Sequence, residues 1–227
     1  MELLARILPK ALKEMWMNLL ELLLVNILGV TIILLFITTY FFFPLLSLVL
    51  FLLVISPLFL TLYNGVNALY TGDKLTFGFK EGIRKWKMGI KYGIFSAIIP
   101  LLIYVNLTFY QSFDLSWWSV ALSIFWIYVF VGYIMLQFYL PCVLVDTHLS
   151  FFQSLKYSAI LVIGNFGYTF GWILLLGLFL LLLFLVNNVV TLNIVFFAFL
   201  GIGIALQTRA YLTLKERQGL ESAEKKE

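Results

Sequence analysis

The chain has 227 residues, of which 63% are hydrophobic and only 11% are charged. An ordinary soluble domain carries about 25% charged residues, so this composition excludes a water-soluble globule. Lys and Arg number 15 and Asp and Glu number 11, which gives a net charge of +4. Because the basic residues flank apolar segments, they favour contact with anionic lipid and argue against nucleic-acid binding.

The sequence contains one cysteine, Cys142, and one histidine, His148. These two residues cannot form an internal disulfide or a metal site made of Cys and His ligands. Motifs typical of nucleotide binding, serine hydrolysis and zinc proteolysis are absent. We therefore predict no catalytic residue, no cofactor and no metal, and we expect a protein that is not an enzyme.

Three stretches of the chain, 22–72, 92–145 and 157–208, are free of charge except for Asp114. Each is about twice the ~20 residues that a helix needs to cross a bilayer, so each is typical of two spanning helices. The sequence therefore predicts an all-α integral membrane protein, with 1–227 as a single polytopic domain ending in a charged cytoplasmic tail at 211–227. The six transmembrane helices are predicted over 19–41, 44–70, 91–111, 117–141, 163–186 and 190–210.

Proline, glycine and polar residues mark the predicted breaks between these helices. The breaks fall at Phe43-Pro44, 71–74, 111–114, 146–148 and Asn187-Asn188. The last break is the weakest, because 171–206 is nearly continuous apolar sequence, and five helices are the alternative. Pro57 and Pro100 lie inside predicted helices, which is tolerable in lipid when a neighbouring helix or a Ser or Thr hydroxyl satisfies the carbonyl that proline frees.

The basic residues lie on one side of the predicted membrane arrangement. They precede the first helix, fill 74–91, and follow the fourth and sixth helices, whereas the opposite connections carry only Asp114. Positively charged loops stay in the cytoplasm, so both termini are expected to be cytoplasmic. An odd number of helices would place the C-terminal Lys and Arg outside, which favours six.

Three segments on the cytoplasmic side are amphipathic. Large apolar residues fall on one helical face in 2–16 and again in 76–90. In the second segment this face consists of Phe79, Ile83, Trp86 and Ile90. The third segment begins with Ser150-Phe151-Phe152-Gln153, which has the spacing of a capping box. We expect helices that lie in the inner membrane interface before the chain enters the bilayer.

These segments share a six-residue pattern at 8–13, 79–84 and 151–156. A large apolar residue, two variable residues and a small residue are followed by a branched aliphatic and a basic residue. The small residues are Ala11, Gly82 and Ser154, at offsets of 71 and 72. The pattern predicts three parallel repeats, each an interfacial helix followed by a transmembrane hairpin. The alternative is chance similarity between amphipathic helices.

Several polar side chains lie within the predicted spans, all toward the cytoplasmic half: Glu21, Asn26, Asn64, Asn67, Lys91, Gln137 and Asn165. Such residues mark functional sites in membranes, so we predict a polar cavity open to the cytoplasm. The alternative, and the commoner role, is that they bridge neighbouring helices. Glu21 and Lys91 are the expected buried ion pair, because each begins an odd-numbered helix at similar depth.

The basic segment between the second and third predicted spans is the expected contact surface for a partner protein or for anionic lipid. Its candidate residues are Lys80, Arg84, Lys85 and Lys87. Glycines at 164, 167, 171, 201 and 203 are expected to permit close helix approach.

Three passages together resemble one protein family. The first is Ser56-Pro57 followed by a helix that ends at 69–73. The second is 79–95 leading to Asn-Leu-Thr-Phe-Tyr at 106–110. The third is Tyr139-Leu140-Pro141 followed by 149–156. The chain is similar over most of its length to the YesL-like family of bacterial membrane proteins. The resemblance implies a protein of the bacterial inner (plasma) membrane with a role linked to carbohydrate uptake, and it supplies no functional residues.

The leading functional hypothesis is a non-enzymatic component linked to solute transport, with a membrane transport complex as its partner. Carbohydrate is the solute class that the resemblance suggests. The first alternative is a translocator of small molecules or lipid that uses the polar cavity. The least favoured alternative is a membrane enzyme acting on lipid, which would depend on His148 and Asp146 for acid–base chemistry.

Overall fold

The computed structural model describes Pro9 and residues 12–111, 117–185 and 189–224. The structure is 94% helical, with no strand in these residues. The predicted all-α class is therefore confirmed. Most of the amphipathic segment 2–16 and the breaks at 112–114 and 187–188 lie outside the described residues.

The long helices are separated by short turns. Helical residues 12–17 precede the first long helix, and a π-helical segment, Phe51–Ile55, joins the second helix to the third. In chain order the helices are α1 (Leu19–Phe42), α2 (Pro44–Leu50), α3 (Ser56–Thr71), α4 (Leu75–Arg84), α5 (Trp86–Gln111), α6 (Trp117–Asp146), α7 (Phe151–Gly164), α8 (Phe166–Leu185) and α9 (Val189–Glu224).

Four helical segments are long and apolar enough to cross a membrane: Leu19–Phe42, Pro44–Thr71, Trp86–Tyr110 and Trp117–Asp146. A fifth candidate is the pair Phe151–Gly164 and Phe166–Leu175, if the 90° bend between its helices lies within one span. The chain is thus an all-α membrane protein with four to five long apolar helices in its described part.

The π-helical segment between α2 and α3 has a local cause. Pro57 has no amide hydrogen, and its ring collides with the carbonyl one turn earlier in a regular helix. The Phe51 carbonyl accepts the Ser56 backbone amide across the wider turn, and the Ser56 hydroxyl donates to the same oxygen at 2.8 Å. The hydroxyl thus reinforces the π-helical turn just before the proline.

The turn after α3 reverses the direction of the chain, so that the following residues run back along α3. Gly72 has a φ of +90°, a left-handed conformation that glycine adopts at little cost. The Asp73 amide donates to the Ala68 carbonyl at 2.8 Å and closes the helix end. The following helix, α4, then packs on α3.

Glycines allow α4 and α5 to approach α3 closely. A Cβ added at Gly78 would lie 2.4 Å from the Asn64 carbonyl oxygen, and one at Gly89 would lie 2.4 Å from Pro57 Cα. Gly82 and Gly93 make similar contacts with Thr61 and Ser56. We name Gly78, Gly82, Gly89 and Gly93 the glycine stripe.

The glycine contacts in the structure differ from two expectations drawn from the sequence. The face of α4 that packs on α3 is built around glycines, whereas Ile83 of the predicted apolar face is 58% exposed. Among the described residues, an added Cβ would meet no atom within 4 Å at Gly164, Gly167 or Gly203, so those glycines do not mark close contacts there. Gly201 does, because its Cβ would lie 2.7 Å from Asn26 Oδ1.

Buried side chains concentrate at one end of the bundle, which we name the basic end and define by residues 60–91, 135–162 and 204–217. Val66, Tyr139, Val143 and Ala210 are inaccessible there. At the opposite end, the second half of α1 and the first half of α6 expose most of their large apolar side chains. Such an apolar surface fits a lipid environment.

The glycine stripe predicts that Gly89→Ala destabilises the protein. Overpacking of a close backbone contact costs about 1–3 kcal/mol, so the unfolding midpoint should fall by roughly 3–10 °C. A thiol-reactive dye can report unfolding, because Cys142 is free and buried. Gly132→Ala is the matched control, since an added Cβ there meets no atom of the described residues within 4 Å. Equal midpoints for the two variants would contradict the proposed close packing.

Candidate polar cavity

A cavity of about 380 Å³ opens at the basic end between α3, α4 and the end of α6. Its polar lining groups are Asn64, Asn67, Thr71, Asp73, Glu81, Lys85, Asp146 and His148, and Phe77 adds an aromatic ring. We name this space the polar cavity. Its volume lies within the range of about 300–1,000 Å³ that is usual for small-molecule sites.

Lys85 connects two walls of the polar cavity. Its ammonium group donates to the Val145 carbonyl and, at 3.4 Å, to that of Leu144. Both carbonyls belong to the last turn of α6, where backbone oxygens lack helical partners and the helix dipole favours a cation. Burial lowers the pKa of Lys85, and the nearby Glu81 and Asp146 carboxylates oppose this effect. Lys85 thus fixes the start of α5 against the end of α6.

Asp146 connects α6 to α9. Its Oδ2 atom lies 2.5 Å from Lys215 Nζ and accepts a hydrogen bond of 2.7 Å from the Tyr211 hydroxyl. The Asp146 side chain is 10% exposed, whereas that of Lys215 is 50% exposed. The carboxylate is therefore held by two groups from a helix 65 to 69 residues away in sequence.

The charges around the polar cavity largely compensate one another. Glu81 pairs with Arg84 at 2.6 Å, and Asp146 pairs with Lys215. Two of the three lining carboxylates are therefore neutralised, which suits a neutral polar ligand better than a multivalent cation. Within the described residues no group of three His, Cys, Asp or Glu side chains could hold a metal ion.

His148 and Asp146 line the same cavity without forming an acid–base pair. His148 is exposed, and no hydrogen bond joins it to Asp146 in the part of the chain that the structure describes. Asp146 instead binds Tyr211 and Lys215. The arrangement needed for a carboxylate to orient the imidazole is not present in this geometry.

Only two of the polar residues predicted to form a cavity line this one. Asn64 is buried and donates to the Leu60 carbonyl at 3.0 Å, and Asn67 lies one turn later. Both belong to α3, so the turn of the helix brings them to the same wall.

Three other predicted cavity residues serve the helical framework. Asn26 of α1 accepts a hydrogen bond from the Gly201 amide of α9. Gln137 of α6 accepts from the Tyr92 hydroxyl at 3.0 Å and donates to the Ser96 hydroxyl at 3.2 Å. Asn165 donates to the Leu161 carbonyl at the bend between α7 and α8. For Asn26 and Gln137 the bridging alternative describes the geometry.

The expected ion pair between Glu21 and Lys91 is not formed. Lys91 is exposed and lines a different groove, and no acid lies within ion-pair distance of it among the described residues. The buried pair is instead Arg209 of α9 with Glu14, whose Nε and Oε2 atoms are 3.2 Å apart. No local spacing signals this contact, because its partners are almost 200 residues apart.

The predicted basic surface divides into two parts. Lys80, Arg84 and Lys87 are exposed, whereas Lys85 faces the polar cavity and the end of α6. Of these four basic residues, Lys80, Arg84 and Lys87 are therefore available to an outside partner.

Comparison of the chain with models of known protein families, with curated proteins and with solved structures gave no match. The resemblance to the YesL-like family stays a prediction from the three passages.

The contact between Asp146 and Lys215 can be measured by a double-mutant cycle with Asp146→Asn and Lys215→Met. We expect a coupling of about 0.5–1 kcal/mol in the free energy of unfolding, since one partner is half exposed. The exposed pair Glu81 and Arg84 serves as the comparison and should couple by less than about 0.5 kcal/mol. Additive effects of Asp146→Asn and Lys215→Met would show that the pair does not hold α6 against α9.

Proposed function

We propose that the protein is a non-enzymatic component of solute transport that binds a small neutral polar solute in the polar cavity. The observation that carries the proposal is the 380 Å³ space with amide and carboxylate groups at the ends of two of the four long apolar segments, Pro44–Thr71 and Trp117–Asp146. Carbohydrate is the proposed solute class. Its hydroxyl groups pair with Asn, Asp and Glu side chains, and its apolar face can pack on the Phe77 ring.

The proposed membrane arrangement has six spans with both termini in the cytoplasm of a bacterial cell. Support comes from the distribution of charge, because Lys and Arg border the apolar segments on one side only. Contacts between residues near 14, 85, 146, 209 and 215 bring these basic segments to one end of the bundle. In this arrangement the polar cavity opens to the cytoplasm.

The exposed basic residues Lys80, Arg84 and Lys87 are the proposed contact surface for a membrane transport complex. They lie on α4 and at the start of α5, beside the exposed side chains of Phe77 and Ile83. A surface that combines basic and apolar side chains fits an acidic, partly apolar partner.

Solute binding is tested on the purified protein by the unfolding midpoint in the presence of neutral mono- and disaccharides, with spermidine as a cationic comparison. A bound solute at about 100 times its Kd stabilises the folded state by about 2.7 kcal/mol. Asn67→Leu removes polar groups from the polar cavity and should raise the Kd at least about fivefold.

Two control variants separate the polar cavity from other surfaces. Asn106→Leu changes an exposed asparagine on α5 and should leave saccharide binding unchanged. Combined Lys80→Glu and Lys87→Glu should also keep saccharide binding, while releasing a co-purifying transport partner; Arg84 is left unchanged because it pairs with Glu81 of the polar cavity. Stabilisation by spermidine alone, or equal binding by the Asn67→Leu variant, would reject the proposed saccharide site.

The six-span arrangement is tested by cysteine labelling in intact cells, in a Cys142→Ala background. A Ser116→Cys variant should react with a membrane-impermeant maleimide, because 111–116 is predicted to face outward. A Ser222→Cys variant should react only after the membrane is permeabilised. Labelling of Ser222→Cys in intact cells would place the C-terminal segment outside and would reject the six-span arrangement.

A further inference from the structure

A second groove, separate from the polar cavity, lies between α5 and the start of α7. It has a volume of about 340 Å³ and is lined by Lys91, Ile94, Phe95, Ile98, Ile99, Phe151 and Phe152. Apart from Lys91 its lining side chains are apolar, and no acidic residue is among them. We name this space the Lys91 groove.

The floor of the Lys91 groove is an aromatic contact between two helices. The rings of Phe95 and Phe151 meet edge to face with centroids 5.9 Å apart, and Phe151 is buried. Phe152 stands beside this pair and is 78% exposed. Ile94 and Ile98, one turn apart on α5, are also exposed and continue the apolar wall away from Lys91. The groove therefore has a charged end and an apolar trench.

Lys91 makes one end of the groove attractive to an anion. It is exposed and lacks an acidic partner among the described residues. The first turn of α7 contributes apolar surface at Phe151 and Phe152, and its Gln153 amide is already capped by the Ser150 hydroxyl at 3.4 Å. Lys91 is therefore the group that can bind an anion at this end.

The position of Lys91 along α5 fits a lipid headgroup. The twenty residues after it, up to Gln111, carry no charge and form about 30 Å of helix, the thickness of the hydrocarbon core of a bilayer. Lys91 is therefore at the boundary between hydrocarbon and headgroups. The trench from Lys91 to Ile99 extends about 12 Å from this boundary, along the direction of an acyl chain.

We propose that the Lys91 groove is a binding site for an anionic glycerophospholipid. Lys91 binds the phosphate, and one acyl chain lies along Ile94 and Ile98. A basic pocket between membrane helices is a known form of anionic-lipid site. This proposal does not depend on solute binding in the polar cavity, because the groove lies on another pair of helices.

The proposal is tested by native mass spectrometry of the full chain released from nanodiscs of equal phosphatidylglycerol and phosphatidylcholine. The wild-type protein should retain phosphatidylglycerol preferentially. Lys91→Gln should lower its retention about fivefold, because it removes the basic side chain that lines the groove, and leave phosphatidylcholine unchanged. Lys87→Gln is the matched control, since Lys87 is exposed one turn earlier and does not line the groove; its effect should be below twofold.

A second variant tests the trench without altering charge. Ile98→Trp should lower the retention of both lipids. If the thiol-reactive dye shows that the Ile98→Trp variant does not fold, the Ile94→Phe variant takes its place. Glycerol phosphate, which lacks acyl chains, should not displace the retained lipid at millimolar concentration. Equal losses for Lys91→Gln and Lys87→Gln, unchanged retention for Lys91→Gln, or displacement by glycerol phosphate would each overturn the proposal.

Discussion

The close approach of α4 and α5 to α3 is the contact on which the rest of the basic end depends. Only residues without side chains fit between these backbones, since an added Cβ at Gly78 or Gly89 would lie 2.4 Å from main-chain atoms of α3. In lipid, helices gain little from burying apolar surface against one another, so close van der Waals contact carries more of the association energy. The glycine stripe supplies that contact and fixes where α5 begins. The position of Lys85 follows, because Lys85 forms the junction between α4 and α5.

The end of α6 is held by contacts from two other parts of the chain. Lys85 binds the last carbonyls of α6 from one side, and Lys215 and Tyr211 bind the Asp146 carboxylate from another. A helix end in a poorly hydrated region needs such partners, because its final carbonyls have none within the helix. The same groups that satisfy this helix end also form walls of the polar cavity. The polar cavity is thus a consequence of how α6 ends, and its compensated charges are the reason for proposing a neutral ligand.

The sequence was informative where the signal is local. The capping box at Ser150 is present, with the Ser150 amide donating to Gln153 Oε1 at 3.0 Å, and α3 ends at the predicted turn of 71–74. Both depend on residues within four positions of one another. The buried pair of Arg209 with Glu14 and the pair of Lys215 with Asp146 have no such signal, because the fold alone brings their elements together. The glycine stripe was missed for a different reason: apolar periodicity counts large side chains such as Phe79, which does pack on α3, and it does not register the glycines that set the closest contacts.

The two helices of the described chain that begin with the six-residue pattern or contain it, α4 and α7, are followed by different connections. Each packs on the long helix before it, α4 on α3 and α7 on α6. The small residue of the six-residue pattern is buried in both, at Gly82 and Ser154, and the basic residue is exposed in both, at Arg84 and Lys156. Ala11 of the proposed first repeat lies outside the described residues. Helix α4 ends before Lys85, and α5 begins directly after that residue. After α7 the helix axis bends by 90° at Asn165. The start of α7 lies beside α5, the long helix that follows α4, and this brings Phe151 into contact with Phe95. The Lys91 groove therefore forms at the contact between two units of the proposed repeat.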